Sequence, residues 1–217
     1  MLKNSSIQKH ILDILKDKRS MRNILLYNGD IELKSLFEII NNKLKAESNS
    51  QQNSFKLIFA QCKKCPDIIS KRAPFGSGSN RVMIILNRPR MMNMDETAAY
   101  KSESDELLRK MMSAIELELN ECYTTSIVKC ETNSVLNKPS DMVRNCLHIL
   151  ESEIDFIKPN LAIVMGDILP LQKIVNSRKG ITWFNVEHPI SLIKNPELKR
   201  SAWATLKLAS KRFLELR

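Results

Sequence analysis

The chain lacks any apolar run as long as the roughly 20 residues that a membrane-spanning helix needs. Its first residues carry charges at Lys3, Lys9 and Asp13 instead of the apolar core of a secretion signal. We therefore expect a cytoplasmic protein without a membrane partner, in a compartment that keeps thiols reduced. At 217 residues, 43% of them hydrophobic, the chain is long enough to bury one sizeable core.

A second C-x2-C pair is also missing, although a zinc ribbon usually has two. Of the five cysteines, Cys62 and Cys65 form one such pair, Cys130 ends an apolar run and Cys146 lies in an amphipathic segment. In a reducing compartment these four thiols more often hold a metal or an iron–sulfur cluster than form disulfides. Buried free thiols and a zinc ion remain alternatives. Cys122 opens an apolar strand and is expected to be a small buried hydrophobe.

Acidic residues are fewer than basic ones in this chain. Lys and Arg number 34 against 24 Asp and Glu, which gives a net charge of +10 and a pI near 9.4. Such an excess favours a polyanionic partner, nucleic acid above all. An AT-rich genome also raises the lysine content, so the charge alone does not establish this partner.

The chain divides into an extension and one α/β domain. Residues 1–44 show helical spacing and residues 46–54 are polar and of low complexity, so residues 1–54 are predicted to be a helical N-terminal extension with a linker. The domain, residues 55–217, has buried strands predicted at Arg81–Leu86, Cys122–Val128, Leu161–Met165 and Thr182–Val186. Helices are predicted at Asp105–Leu119, Ser140–Phe156, Ile168–Ser177 and Glu197–Leu216. This alternation predicts a parallel sheet with helices on both faces.

Three predicted strands end in distinctive residues. Asn87 follows the first strand, Lys129 and Cys130 follow the second, and His188 follows the last one. Ligands of open parallel sheets bind beyond the carboxyl ends of the strands, so we expect the chemistry there. His188 is one of only three histidines in the chain and lies at such an end.

A series of short motifs follows a recognisable order along the chain. The motifs are Cys62–Cys65, Phe75–Gly78, Leu86–Arg90, Tyr100, Tyr123–Cys130, Arg144–Cys146, Lys158–Asn160, Gly166, His188-Pro189, Leu192–Lys194 and Trp203. In this order they resemble the uracil-DNA glycosylase superfamily, in particular its iron–sulfur class (family 4). The similarity extends from about Cys62 to Arg212 and leaves residues 1–54 unexplained.

The resemblance implies a fold, a cofactor and a partner. The implied fold is a three-layer α/β/α sandwich with a central four-stranded parallel sheet. The implied cofactor is a structural 4Fe-4S cluster, with Cys62, Cys65, Cys130 and Cys146 at the positions of the class's four ligands. The implied protein is a monomer that binds DNA and hydrolyses the N-glycosidic bond of uracil or another deaminated base, as in base excision repair.

The resemblance also assigns roles to single residues. His188 takes the place of the donor that stabilises the uracil anion, and Tyr100 the place of the aromatic ring that stacks on the flipped base. Residues expected to contact DNA are Arg88, Arg90, Pro189 and Lys194.

The chain departs from the class at two strand ends. Where the class has Gly-Glu-Ala-Pro-Gly, only Pro89 is kept, and Asn87 replaces a glutamate; its amide orients a water but cannot take its proton. Where the class has Thr-Asn, Ser126 offers the base edge a single hydroxyl. Arg88 and Arg90 are expected either to clamp phosphate or to fill the pocket.

These departures leave three functional hypotheses. The first is an active DNA glycosylase that uses His188 and Asn87 for catalysis and Tyr100 and Ser126 for base binding. The second is a catalytically lapsed homologue that binds DNA or a protein partner without excising a base. The third is a redox or cluster-sensing protein on the same scaffold.

Overall fold

A four-stranded parallel sheet forms the centre of the computed structural model, which describes residues 59–88, 94–132 and 138–216. The six strands are β1 (Ile68–Lys71), β2 (Val82–Leu86), β3 (Tyr123–Ser126), β4 (Cys130–Thr132), β5 (Leu161–Met165) and β6 (Thr182–Val186). The central sheet has the order β3-β2-β5-β6, and each neighbouring pair is parallel. β1 and β4 form a separate antiparallel pair.

Five α-helices that lie wholly within the described residues accompany these strands. They are α1 (Met94–Ser113), α2 (Pro139–Ile157), α3 (Gln172–Ser177), α4 (Pro189–Lys194) and α5 (Lys199–Leu216). Short 3-10 turns at Leu169–Leu171 and Pro196–Leu198 precede α3 and α5. Within the described residues, no helix has the length and apolarity that a bilayer crossing requires.

The sheet is buried on both faces. Val82 and Ile84 of β2 face a core that includes α1, α4 and α5, whereas Met83 and Ile85 face a core that includes α2 and α3. Burial on both faces explains why β2 and β5 are continuous apolar runs and not alternating ones. The predicted three-layer α/β/α fold with a four-stranded parallel sheet is therefore confirmed.

The boundaries of the predicted elements were less accurate. The helix predicted at Asp105–Leu119 begins at Met94 and ends at Ser113. Residues 114–122 form turns that return the chain to β3, and Leu117 in this segment is buried. The short strands β1 and β4 and the helix α4 were not predicted. The predicted extension, residues 1–54, lies outside the described residues.

Glycine is required at one point beside the carboxyl end of the sheet. Gly166 follows β5 with a φ of +108°, and a Cβ atom at this position would lie 2.1 Å from the backbone oxygen of Asn87. Only glycine permits this close crossing of two strand ends. The crossing brings the segment after β2 against the segment after β5.

Candidate functional site

A small cavity lies where the segments after β2, β3 and β6 meet, at the carboxyl end of the sheet. We call it the sheet-end cavity; its lining residues are Arg72, Leu86, Arg88, Ser104, Asp105, Leu108, Ser126, His188 and Pro189. Its volume is about 20 Å³. The position is the one that an open parallel sheet offers to a ligand. Of the predicted site residues, the structure brings His188, Ser126, Arg88 and Pro189 together at this cavity.

His188 lies between β6 and α4, and its imidazole is only 4% exposed. Its Nδ1 atom accepts a hydrogen bond from the backbone N–H of Ile190 at 3.2 Å, which caps α4. A ring nitrogen that accepts a hydrogen bond carries no proton, so in the neutral ring the proton is on Nε2. The local sequence His-Pro-Ile thus prepares a neutral imidazole with an Nε2–H donor.

The surroundings keep this imidazole neutral. Burial lowers the pKa of His188 to about 3, and the positive charges of Arg88 and Arg72 add to the decrease. A histidine with this pKa remains uncharged throughout the physiological range. It can therefore donate a hydrogen bond to an anion without transferring a proton to it.

Two guanidinium groups surround the sheet-end cavity. Arg72 donates from Nε and Nη2 to Oε1 of Glu131, at 2.9 and 2.5 Å, and Glu131 also accepts from Ser70 at 2.8 Å. Arg88 has no such anchor at Nη1, which is buried and without a hydrogen-bond partner among the described residues. Burial lowers the pKa of Arg88, and the charge of Arg72 adds to this effect. The guanidinium nevertheless keeps its charge, because its ordinary pKa is so high.

Asn87 points away from the sheet-end cavity. Its Nδ2 atom donates to the backbone oxygen of Asp167 at 2.7 Å, and Asn87 is not among the residues that line the cavity. The structure therefore places the amide between two strand ends, where it tethers the segment after β5. Its role in orienting water stays a prediction.

Tyr100 lies in α1, one turn before the cavity residue Ser104. Its ring lies beneath the ammonium group of Lys194, with Nζ 5.1 Å from the ring centroid. Neither Tyr100 nor Lys194 lines the sheet-end cavity. The stacking role of Tyr100 and the DNA contact of Lys194 stay predictions, and Arg90 lies outside the described residues.

Two charged residues at the cavity were not recognised in the sequence. Arg72 directly follows β1, and Asp105 lies in the middle of α1. Asp105 is exposed to solvent and is one of the cavity's lining residues. Neither residue belongs to a strand-end motif of the central sheet, and no spacing signal marked them. Asp105 supplies a carboxylate to a site whose strand-end motif has lost one.

Three segments bring the four predicted cluster ligands towards one another. Cys62 and Cys65 precede β1, and the last residue of β1, Lys71, pairs with Cys130 in β4. Lys71 also donates from Nζ to the backbone oxygen of Cys62 at 3.0 Å. Cys146 lies on the buried side of α2. The small β1–β4 sheet thus aligns the C-x2-C segment with Cys130.

Nitrogen donors lie beside two of the sulfur atoms. The backbone N–H of Lys129 donates to Sγ of Cys146 at 3.4 Å, and Nδ2 of Asn145 donates to Sγ of Cys65 at 3.8 Å. Nδ2 of Asn145 also donates to the backbone oxygen of Lys64 at 3.2 Å, which ties α2 to the C-x2-C segment. Hydrogen bonds to sulfur are among the features by which proteins tune iron–sulfur clusters.

The thiols also affect one another electrostatically. Burial raises the pKa of the Cys130 thiol to about 11, and Cys146, Cys65 and Cys62 add to the increase. All five cysteines are free thiols. Four thiolates could share this region only with a cationic centre to compensate their charge. Four cysteines, three of them buried and two with a nitrogen donor at sulfur, are the donor set that a metal cluster would need.

The described side chains form no preassembled site for a single metal ion. No three His, Cys, Asp or Glu side chains in the part of the chain that the structure describes are close enough to hold one ion. In a tetrahedral zinc site, Zn–S bonds of about 2.3 Å place the sulfur atoms about 3.8 Å apart.

A buried ionic network joins β3 to α2 directly behind these cysteines. Lys129 and Glu153 are both fully buried, with Nζ 2.5 Å from Oε2. Thr125 accepts from Lys129 and donates to Oε1 of Glu153 at 2.9 Å, and Tyr123 donates to the same oxygen at 3.3 Å. Burial raises the pKa of Glu153 and lowers the pKa of Lys129, and their mutual attraction opposes both changes. The network links the strand that ends at Ser126 with the helix that carries Cys146.

The comparison with known families agrees with this geometry. The model of the uracil DNA glycosylase superfamily matches residues 73–207, which is more than half of the 217-residue chain. The matched region contains His188, Ser126 and Arg88 but not Cys62 and Cys65. No curated protein matches the chain. By the extent of the family match, and in agreement with its fold, the chain belongs to the uracil DNA glycosylase superfamily.

Proposed function

We propose that this chain is an iron–sulfur DNA glycosylase that hydrolyses the N-glycosidic bond of uracil or another deaminated base in DNA. Membership of the superfamily supports the reaction class and the DNA partner. The observation that carries the proposal is the buried, neutral imidazole of His188, with its proton on Nε2, at the sheet-end cavity.

The chemistry of the bond explains why such a donor matters. Cleavage leaves negative charge on an oxygen of the departing base and positive charge on the sugar. A preorganised N–H donor stabilises the growing anion in a site without water, and losing one typically slows a reaction on the order of 100–1000-fold. Arg88 and Arg72 place positive charge around the same cavity and so favour the anion further.

The attacking water needs an acceptor, and Asp105 is in a position to provide it. This carboxylate lines the sheet-end cavity and is exposed to solvent. Unlike the amide of Asn87, a carboxylate can take a proton from the water. We assign to Asp105 the role that the class gives to the glutamate of its first strand end.

The hydrogen-bonding groups of the cavity favour oxo bases over amino bases. Arg88 offers only donors, and so does the Nε2–H of His188. The carbonyl oxygens of uracil, hypoxanthine or xanthine accept from such groups, whereas the exocyclic amine of cytosine or adenine would face a donor with a donor. The hydroxyl of Ser126 supplies an acceptor for the ring N–H of a deaminated base.

One observation favours the second candidate, a homologue that binds DNA without excising a base. A cavity of about 20 Å³ holds one water molecule but no base, because ligand pockets are typically about 300–1000 Å³. A base can enter only if lining residues such as Arg88 move. The buried Nη1 atom without a partner and the like charge of Arg72 make its present position unfavourable, so a DNA phosphate would attract it outwards.

Single-turnover excision with the protein in excess tests the proposal. The substrates are labelled oligonucleotides with one uracil, hypoxanthine or xanthine, with cytosine as the control, and abasic sites are detected by alkaline cleavage. We expect excision of at least one oxo base and none of cytosine. Excision of no base by iron-loaded wild-type protein would exclude an active enzyme. Recovery by Asn87→Glu combined with Ser126→Asn would then identify a lapsed glycosylase.

Replacing Asp105 by asparagine should slow excision about 100-fold, at the lower end of what a general base contributes. The amide still accepts a hydrogen bond from water but cannot take its proton. The measurement is the single-turnover rate at saturating protein. Asp155→Asn is the matched control, because Asp155 is an exposed carboxylate on α2 outside the cavity. Equal rates for Asp105→Asn and wild type would show that Asp105 does not take the proton from the attacking water.

The cluster belongs to the same proposal as a structural element. Cys62, Cys65, Cys130 and Cys146 would hold it, and its irons would compensate the charge of four thiolates, three of them on buried residues. It would tie the C-x2-C segment, β4 and α2 together on one side of the sheet. No step of base excision depends on it.

Protein purified without oxygen should contain about four irons and four sulfides per chain, the content of a 4Fe-4S cluster. Cys146→Ser should lose most of this iron. Cys122→Ala should keep its iron, because Cys122 is buried in the core that includes α1, α4 and α5. Its thiol accepts a hydrogen bond from Nδ2 of Asn80 at 3.3 Å. Iron and sulfide analysis, with zinc measured in parallel, checks this expectation. A content of one zinc and no sulfide per chain would show that the four cysteines bind a zinc ion and not a cluster.

A further inference from the structure

Phe75 is an exposed aromatic residue on a rigid support. Its side chain is 48% exposed, yet its backbone N–H donates to the oxygen of Thr124 at 2.9 Å and its oxygen accepts from the Thr124 N–H at 2.8 Å. Thr124 belongs to β3, the edge strand of the central sheet. The next residue, Gly76, has a φ of +82°, and a Cβ there would lie 1.9 Å from the backbone oxygen of Cys122. The backbone that carries the Phe75 ring is therefore firmly positioned.

The ring borders a groove of about 520 Å³ between α1 and the turn that precedes β3. We call it the Phe75 groove. Its volume lies within the range of about 300–1000 Å³ that is usual for small-molecule sites. Asp105 and Leu108 line both the Phe75 groove and the sheet-end cavity, so the two spaces are neighbours. Apart from Asp105, no residue of this groove has a role in the proposed excision.

The lining of the groove suits a flat heteroaromatic ring. Phe75, Leu108 and Leu117 provide apolar surface, and Asn120 provides both a donor and an acceptor. The charged residues at its edge have opposite signs, since Arg109 lies with Asp105 and Glu118. A phosphate group would meet two carboxylates there, whereas a neutral base would meet donors, acceptors and a ring on which to stack.

We propose that the Phe75 groove binds the nucleobase next to the excised one, stacked on the ring of Phe75. The inference rests on the proposed function, because it requires a DNA strand whose target base enters the sheet-end cavity. A base that stacks in the groove must itself be unpaired. The chain therefore favours single-stranded or locally opened DNA, since a paired neighbour would have to be separated from its partner first.

Fluorescence anisotropy with the full iron-loaded chain tests this inference. The probe is a labelled single-stranded oligonucleotide with one non-hydrolysable deoxyuridine analogue. A second probe is identical except that both neighbouring nucleotides are abasic. We expect Phe75→Ala to weaken binding of the first probe about tenfold, because one base then loses the aromatic ring on which it stacks. The loss should largely disappear with the second probe.

Two further variants make the result specific. Phe75→Tyr keeps a ring and should bind both probes as wild type does. Trp203→Ala removes another exposed aromatic side chain, 41% exposed on α5 and outside the groove, and should have no effect. Wild-type binding by Phe75→Ala, or an equal loss with both probes, would overturn the inference and leave the proposed function intact. Failure of wild-type protein to bind any oligonucleotide would overturn both.

Discussion

Replacing His188 by alanine is expected to slow single-turnover excision of uracil on the order of 100–1000-fold, the usual effect of losing one preorganised donor to a developing anion. The loss should appear in the rate at saturating protein and not in DNA affinity, because the anion exists only as the bond breaks. His188→Gln, which keeps an N–H donor, should recover part of the rate. An alanine variant within threefold of wild type would contradict the assigned role.

The dependence of the excision rate on pH distinguishes a neutral His188 that donates a hydrogen bond from a protonated His188 that acts as an acid. Because burial lowers the pKa of His188 to about 3, the active neutral ring persists as the pH falls from 8 to 5. The contribution of His188 to the rate should therefore be constant across the ordinary imidazole pKa of about 6.5. A rate that rises as the pH falls through 6.5, and does so only when His188 is present, would instead identify a protonated imidazole as the catalyst. Folding of each variant needs checking by circular dichroism, since His188 also caps α4.

Replacing Lys129 by methionine is expected to reduce the free energy of unfolding by about 3–5 kcal/mol, because it leaves Glu153 buried without its charge partner. Thr125 and Tyr123 still donate to the carboxylate but carry no compensating charge. Replacing both partners, Lys129→Met with Glu153→Leu, should restore most of the lost stability, since apolar residues of similar volume need no partner. Urea unfolding followed by circular dichroism measures these differences.

An exposed ion pair provides the control for this network. Arg178 and Asp155 form a salt bridge of 2.7 Å at the surface, with side-chain exposures of 36% and 58%. Arg178→Ala should cost less than about 1 kcal/mol, as is usual for solvent-exposed pairs. A similar small loss for Lys129→Met would mean that Glu153 takes up a proton or reaches water when its partner is absent. Iron content should be measured for each variant, so that cluster loss is not mistaken for loss of the ion pair.

The central strands could be predicted because burial on both faces requires apolar residues throughout a strand, and such a run is visible in the sequence. β2 and β5 lie between two layers of helices, so every side chain in them is apolar and each reads as a short continuous run. The helix α2 was predicted to within one residue at each end, because it starts beside Pro139 and has a clear apolar face. The apolar runs of the strands, and the proline and apolar face of α2, are patterns among residues that are close in the sequence.

The first helix shows where local patterns fail. The first turns of α1 are largely polar, so they carry little apolar periodicity, and the predicted start was 11 residues too late. Leu117 continued the apolar pattern beyond the end of the helix at Ser113, but it is buried from a turn. Periodicity reports which side chains are buried and not which backbone conformation buries them.

The sequence by itself determined the fold class, the superfamily and the position of His188 at a strand end, because each depends on short motifs in a fixed order. The tertiary structure alone decided which charged groups meet at that end. Arg72 and Asp105 reach the sheet-end cavity from β1 and α1, where they line it together with Arg88. Likewise, Lys129 and Glu153 are 24 residues apart and form a pair only because α2 packs on the sheet. Contacts between distant segments depend on packing, which no local pattern encodes.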